Sequence, residues 1–382
     1  MRSLCSLHRA AAFAHLLGMS HPLFSSFQLR SVTFANRIGV SPMCQYSCVD
    51  GFASDWHLVH LGSRAVGGAG LVMVEASAVT AEGRISSGDM GIWKDEHIEP
   101  LARIARFVRS QGARAGIQLA HAGRKGSMTP PFHGERLLTA PEGAWTPLAP
   151  SAIAFSEKYA VPQELDQAGI DAVVKAFADA ANRALRAGFD FVEIHAAHGY
   201  LLHEFLSPLS NQRTDSYGGS FENRVRLPLQ VADAVRSAWP HSLPLFVRIS
   251  ATDWAEGGWA IDDSVKLARL LKGHGVDLVD CSSGGNVATA KIPAAPGYQV
   301  PFAARIRQET GVATAAVGMI TEPTQANKII EEGEADLVLL AREMLRDPYF
   351  AVHAAAALSE TASWPEQYLR AAPVHSTERQ GL

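Results

Sequence analysis

The densest run of side chains able to do chemistry lies between Glu193 and Glu204, Glu-Ile-His-Ala-Ala-His-Gly-Tyr-Leu-Leu-His-Glu. His195 and His198 are three apart, a spacing that a helical turn would bring onto one face. Tyr200 follows at once. Two imidazole donors and a phenol suit a carbonyl oxygen that must be held and an adjacent atom that must be protonated. Two other readings compete. His195 and His198 with His203 or Glu204 could ligate a metal, although no H-E-x-x-H arrangement is present. They could also be ordinary core and loop histidines.

Other candidates recur just after short apolar runs. Ser41-Pro42-Met43-Cys44-Gln45-Tyr46 places Cys44 where it is either an inert thiol or a thiol beside a cofactor. Cys44 and Cys48 lack the further histidines or cysteines of a closed metal site. Gln118 can offer donor and acceptor to one flat ring edge. His121, Arg124 and Lys125 after it suit an anionic cofactor, a salt-bridged loop or plain surface charge. Arg248 keeps its charge and needs an anionic or electron-rich partner. Ser283, Gly284 and Gly318 allow close backbone approach, and Arg342 adds a positive charge, a combination suited to phosphate.

The elements that must carry these residues are eight short apolar runs: Ile38–Met43, Gly70–Glu75, Ala115–Leu119, Phe189–Ile194, Leu245–Ile249, Val276–Cys281, Thr314–Val317 and Leu337–Leu340. They lack clean alternation, as strands covered on both faces do. Helical periodicity fills Asp166–Ala187, Ile261–Gly273 and Thr324–Gly333, each ending at or before a glycine. Eight strand–helix units without a strong linker predict an α/β fold, one closed (β/α)8 TIM barrel. Phe27–Asn36 reads as an N-terminal hairpin under it. Residues 127–162 and 206–222 are long insertions on the catalytic face. On such a barrel the C-terminal strand ends carry the chemistry, with phosphate bound after strands seven and eight. No G-x-G-x-x-G follows a strand, which disfavours a Rossmann domain.

Composition sets the limits. A chain of 382 residues that is 47% hydrophobic and 19% charged can fill one large domain. A net charge of −4 without basic runs argues against nucleic acid as a partner. No stretch of about 18 apolar residues argues for a membrane span. Four scattered cysteines, Cys5, Cys44, Cys48 and Cys281, suit a reducing, cytoplasmic setting. Residues 1–18 are read as an extension ahead of the domain, of the kind left by a start assigned upstream of Met19. Residues 19–370 form the barrel domain and 371–382 a tail.

Taken together, several segments resemble the old yellow enzyme family of FMN-dependent ene-reductases, in its bacterial thermophilic-like, xenobiotic reductase branch. They are Ser41 to Tyr46, Val74 to Val79, Gln118 to Lys125, His195 to Tyr200, Ser207 to Asn211, Arg213 to Asp215, Tyr217 to Ser220 and Leu345 to Pro348. The resemblance covers roughly Leu23 to Arg370. It implies one non-covalent FMN reduced by NADPH or NADH. Pro42, Met43, Cys44, Ala76, Gln118 and Arg248 would surround the flavin, and Ser283, Gly284, Gly318, Ala341 and Arg342 its phosphate. His195 and His198 would bind the activating oxygen of an enone or nitro substrate, and Tyr200 would be the proton donor. Tyr46 would line the substrate site, Lys125 would serve the substrate site or an interface, and Cys44 would tune reactivity. Arg370 aligns with an arginine lent by a neighbouring subunit, implying a homodimer or homotetramer. Two departures stand out: Ala341 where glycine is usual, and Ala371-Ala372 in place of Gly-Trp. The rival activities are a flavin dehydrogenase or oxidase running in the other direction, a metal-dependent barrel hydrolase or aldolase, and a flavin-binding redox sensor using Cys44.

Overall fold

The computed structural model describes residues 21–372. The expected extension at 1–18 and the end of the expected tail lie outside the described residues. Eight parallel strands close into a barrel in the order β3-β4-β5-β8-β9-β10-β11-β12. They are β3 (Ile38–Val40), β4 (Leu71–Ala78), β5 (Arg114–Ala120), β8 (Phe191–Ala196), β9 (Leu245–Ser250), β10 (Leu278–Ser282), β11 (Ala313–Val317) and β12 (Leu337–Leu340). The hairpin β1 (Phe27–Leu29) and β2 (Val32–Phe34) precedes them, and β6 (Leu148–Ala149), in the first long insertion, pairs with β7 (Gln163–Glu164) just beyond its end. The (β/α)8 expectation is borne out.

Successive strand residues alternate between helix-facing and lumen-facing sides. The lumen is therefore built in layers. Its floor is apolar: Leu71, Met73, Phe191, Phe246, Leu278, Leu337 and Leu339 form one buried cluster with Val32 and Phe34 of the hairpin. The Phe34 ring meets Phe191 edge-on at 5.8 Å, so the hairpin is the plug of the barrel. Gly116 makes room for it, since a Cβ there would collide with the Phe191 ring. Two residues further along the strands the lumen turns polar: Gln118, Glu193, Arg248 and Asp280 are all buried. Two residues further again come His195, Ser250 and Ser282.

Several boundaries differ from those read in the sequence, and each has a local cause. The first barrel strand stops at Val40 rather than Met43, because Pro42 has no N–H to continue the ladder. The second runs on to Ala78 through a register shift between Val74 and Ala76. The fourth spans Phe191–Ala196 rather than Phe189–Ile194, which puts His195 inside the strand. Helices Gln167–Arg186, Ile261–Gly273 and Pro323–Glu331 lie within two residues of expectation. The first is capped by Asp166, whose side chain accepts from the Gly169 N–H at 2.7 Å.

Candidate active site

The C-terminal mouth of the barrel collects most of the residues singled out in the sequence. His195 is the penultimate residue of β8. The chain then turns sharply: His198 has φ of 61° and Gly199 of 72°. The two histidines are therefore not on a helical turn, as their spacing suggested. A strand end and a left-handed residue bring the rings together instead, with centroids 5.1 Å apart and planes nearly perpendicular. The Ala197 N–H points at His195 Nδ1 at 3.3 Å, which leaves the proton of a neutral ring on Nε2. His195 Nε2 is 3.3 Å from His198 Nδ1, and His198 Nε2 is 2.8 Å from Ser282 Oγ. Burial, followed by the charge of Arg248, holds both imidazoles well below their ordinary pKa. They are neutral hydrogen-bonding groups.

Tyr200 immediately precedes the helix Leu201–Leu206 and lays its ring edge-on to His195 at 5.0 Å. Burial, then Cys44 and Tyr46, raises its pKa well above that of an ordinary phenol, so the hydroxyl keeps its proton. The turn that carries it is tied down from three sides. The Ser250 hydroxyl accepts from the His198 N–H at 2.9 Å. Lys125 Nζ donates to the carbonyls of His198, at 2.7 Å, and Gly285. Buried His203 accepts from the Gly199 N–H at 2.9 Å and faces Asp253 at 3.0 Å on its other nitrogen. Gly199 and Gly285 touch backbone to backbone, so neither position has space for a Cβ.

Cys44 and Tyr46 sit on the same mouth after β3. Burial, reinforced by Asp89 and Glu75, pushes the Cys44 thiol well up, and burial does the same to the Tyr46 phenol. Ala76 faces Gln118 across the irregular β4–β5 pairing. Gln118 Nε2 donates to Glu193 Oε1 at 2.7 Å. Arg248 donates to Ser41 Oγ at 3.1 Å and Ser282 Oγ at 3.3 Å and faces Asp280 at 3.1 Å. Pro42 and Met43 are half-buried between these and solvent.

On the far side of the mouth Gly284 has φ of 68° and Gly318 of 122°. Ser283 donates to Gln299, which in turn donates to the Val317 carbonyl at 2.9 Å. Arg342 is exposed and opens the helix Arg342–Arg346. Ala341 has φ of −104°, a value that demands no glycine. The donor set and the positive-φ glycines fit a flat ring that ends in a phosphate: an amide and a guanidinium at one end, and at the other two glycines with Arg342, which has no ion-pair partner among the described residues.

Some expectations need correction. His203 and Glu204 do not join the histidine pair as ligands: Glu204 accepts from the Arg124 N–H at 2.8 Å, and His203 is engaged with Gly199 and Asp253. Cys48 is buried in the core, 3.5 Å from His57. Arg124 is a loop tie, donating to Asn286 O at 2.7 Å, and not a free anion site. Arg370 lies in the short segment Glu366–Ala371, exposed. The neighbouring residues 361–367 line a cavity of 620 Å³ with Ala35 and Asn36, next to the hairpin at the floor of the barrel. Reading the sequence assigned no role to Ser41, Ser250, Ser282, Asp253 and Asp280. Ser41 and Asp280 lie inside the apolar runs, Ser250 and Ser282 directly follow them, and Asp253 carries no local signal.

The comparisons place the chain among known proteins. The model of the NADH:flavin oxidoreductase / NADH oxidase family matches residues 22–361. An NADPH dehydrogenase of Geobacillus sp. (strain WCH70) is 52% identical over 92% of this chain and 99% of its own length. An NADPH dehydrogenase of Bacillus subtilis (strain 168) is 49% identical over the same shares. Among solved structures, morphinone reductase superposes with a TM-score of 0.74 at 26% identity, covering 91% of this chain and 93% of that one. These matches bear out the resemblance drawn from the motifs. The chain belongs to the NADH:flavin oxidoreductase / NADH oxidase family and is an FMN-dependent oxidoreductase with NADPH or NADH as its reductant.

Proposed function

We propose that the chain reduces the activated C=C bond of α,β-unsaturated carbonyl or nitro compounds. When bound, FMN would supply the hydride-transfer chemistry between the nicotinamide and the substrate β-carbon. Pro42, Met43, Cys44, Ala76, Gln118 and Arg248 would hold its ring system, and Ser283, Gly284, Gly318, Ala341 and Arg342 its phosphate. His195 and His198 hold the substrate oxygen on which negative charge grows. A donor aimed at such an oxygen is worth roughly 3 kcal/mol. Tyr200 then gives its proton to the α-carbon. Tyr46 flanks the substrate, and Lys125 secures the turn that bears His198. Arg370 would reach the mouth of a neighbouring copy in a homodimer or homotetramer, because in its own copy it extends the segment that packs at the floor. The protein would act in the cytoplasm. Among the described residues no helix is long and apolar enough to cross a membrane.

The observation that carries this reading is the pairing of a protonated, half-buried phenol with two neutral imidazoles 5.0 and 6.5 Å from it, ring to ring. Rapid mixing of the two half-reactions tests it. Tyr200→Phe leaves flavin reduction by NADPH near wild type and slows cyclohexenone reduction by roughly 10²–10⁴-fold. Equal loss in both half-reactions, or in neither, removes Tyr200 as the acid.

A further inference from the structure

The polar layer between the apolar floor and the mouth contains more acid than its one cation can balance. Asp280 on β10 is the register partner of Arg248 on β9, Glu193 on β8 is that of Phe246, two residues before Arg248, and both acids are fully buried. Asp280 Oδ2 is 3.1 Å from Arg248 Nε. Glu193 has only the Gln118 amide, on Oε1. Glu193 Oε2 and both Asp280 oxygens accept no hydrogen bond among the described residues. The other groups around the layer are uncharged: Ser41 and Ser282 on Arg248, and the neutral His195 above.

With both acids ionised, this dry layer would carry a net negative charge. Two carboxylates so placed titrate as a pair, and one keeps a proton. The guanidinium decides which one. It faces Asp280, so the proton belongs on Glu193. Burial and the nearby Asp280 push the Glu193 carboxyl well above the usual carboxylate range, while burial raises Asp280 only to about 6 because Arg248 opposes the rise.

We propose that Glu193 is a charge-setting residue: it holds the single proton of a Glu193–Asp280 pair, leaves Asp280 as the sole counter-ion of Arg248, and so keeps the layer beneath the flavin neutral. The inference rests on the reading that Gln118 and Arg248 face FMN. Reduction builds negative charge on the flavin, and a net-negative layer would oppose it. The pair also buffers the layer. If Asp280 loses its charge, Glu193 can release its proton and take over as counter-ion.

Buffering makes the test a double-mutant cycle read by flavin midpoint potential. Glu193→Gln, an isosteric mimic of the neutral acid, should keep the wild-type potential at pH 7. Asp280→Asn should raise it little, because Glu193 ionises in compensation. The double variant, with Arg248 uncompensated, should favour reduced over oxidised FMN by at least tenfold more than wild type, a rise of about 30 mV for a two-electron couple. A single Glu193→Gln change that already raises the potential as far as the double one, or strictly additive shifts, overturns the proposal. Infrared spectra of the flavin-free protein separate this from the FMN reading. Wild type should show a protonated carboxyl band at pH 7 that Glu193→Gln lacks. Absence of that difference sinks the proton assignment whether or not FMN binds, whereas the band in a protein that binds no FMN would leave Glu193 protonated and remove its role toward the flavin.

Discussion

A phenol can serve as an acid only while it holds its proton, and a thiol as a nucleophile only after losing one. Burial acts on both in the same direction at this mouth. It keeps Tyr200 charged with its proton and keeps Cys44 a thiol. Cys44→Ala should therefore retain FMN and measurable turnover while shifting the flavin potential and substrate KM. Complete loss of alkene reduction with FMN bound and normally reduced would contradict that. Glu204 gives a pH-dependent counterpart. Burial raises its carboxyl from 4.5 to about 8 in the fold. The native state then binds the proton more tightly than the unfolded chain. Its contribution to stability is complete below the unfolded pKa and is lost as pH rises through the folded one. Urea unfolding of wild type against Glu204→Gln between about pH 5 and pH 8.5 should show wild type losing ground steadily as pH rises. A pH-independent difference would show that Glu204 does not titrate in that window.

The decisive element is the turn after β8, from Ala197 to Tyr200. It holds because Gly199 and Gly285 meet without side chains while Lys125, Ser250 and His203 engage its backbone. Gly199→Ala puts a Cβ onto the Gly285 carbonyl at a positive φ. FMN content should stay near wild type while alkene turnover falls by roughly 10²-fold, the cost of a misplacement of about 1 Å. Activity within twofold of wild type would show that the turn tolerates displacement. This turn also marks how far the sequence could be read. The strands were legible because buried parallel strands are continuous apolar runs. The helices were legible because they end at glycines. The histidine pair was legible as residues but not as geometry. Spacing of three suggested a helical turn, and nothing local announces a left-handed histidine after a strand. Asp253 and Asp280 were hidden for a different reason: their partners, His203 and Arg248, are distant in sequence and meet them only once the barrel closes.

At the scale of the whole molecule, the C-terminal segment packs beside the floor hairpin, at the opposite end of the barrel from the residues that Arg370 is proposed to serve. If the tail completes a neighbour's pocket, Arg370→Ala should raise substrate KM by roughly tenfold, the loss of one charge-assisted contact of about 1.5 kcal/mol, with FMN content unchanged. Light scattering should find an oligomer at assay concentration. A fully active monomer on dilution would end the idea.

The Phe34 plug has a kinetic consequence. A barrel sealed at one end by packed aromatic rings is a vessel with a single doorway, and its contents cannot be loaded from behind. On the proposed function, nicotinamide and alkene would both meet the same His195–His198–Tyr200 wall through that doorway, so each would have to leave before the other arrived. Reducing equivalents then have to be stored between visits. In steady state this appears as parallel lines in a double-reciprocal plot. Either visitor, supplied in excess, becomes an inhibitor of the other's turn.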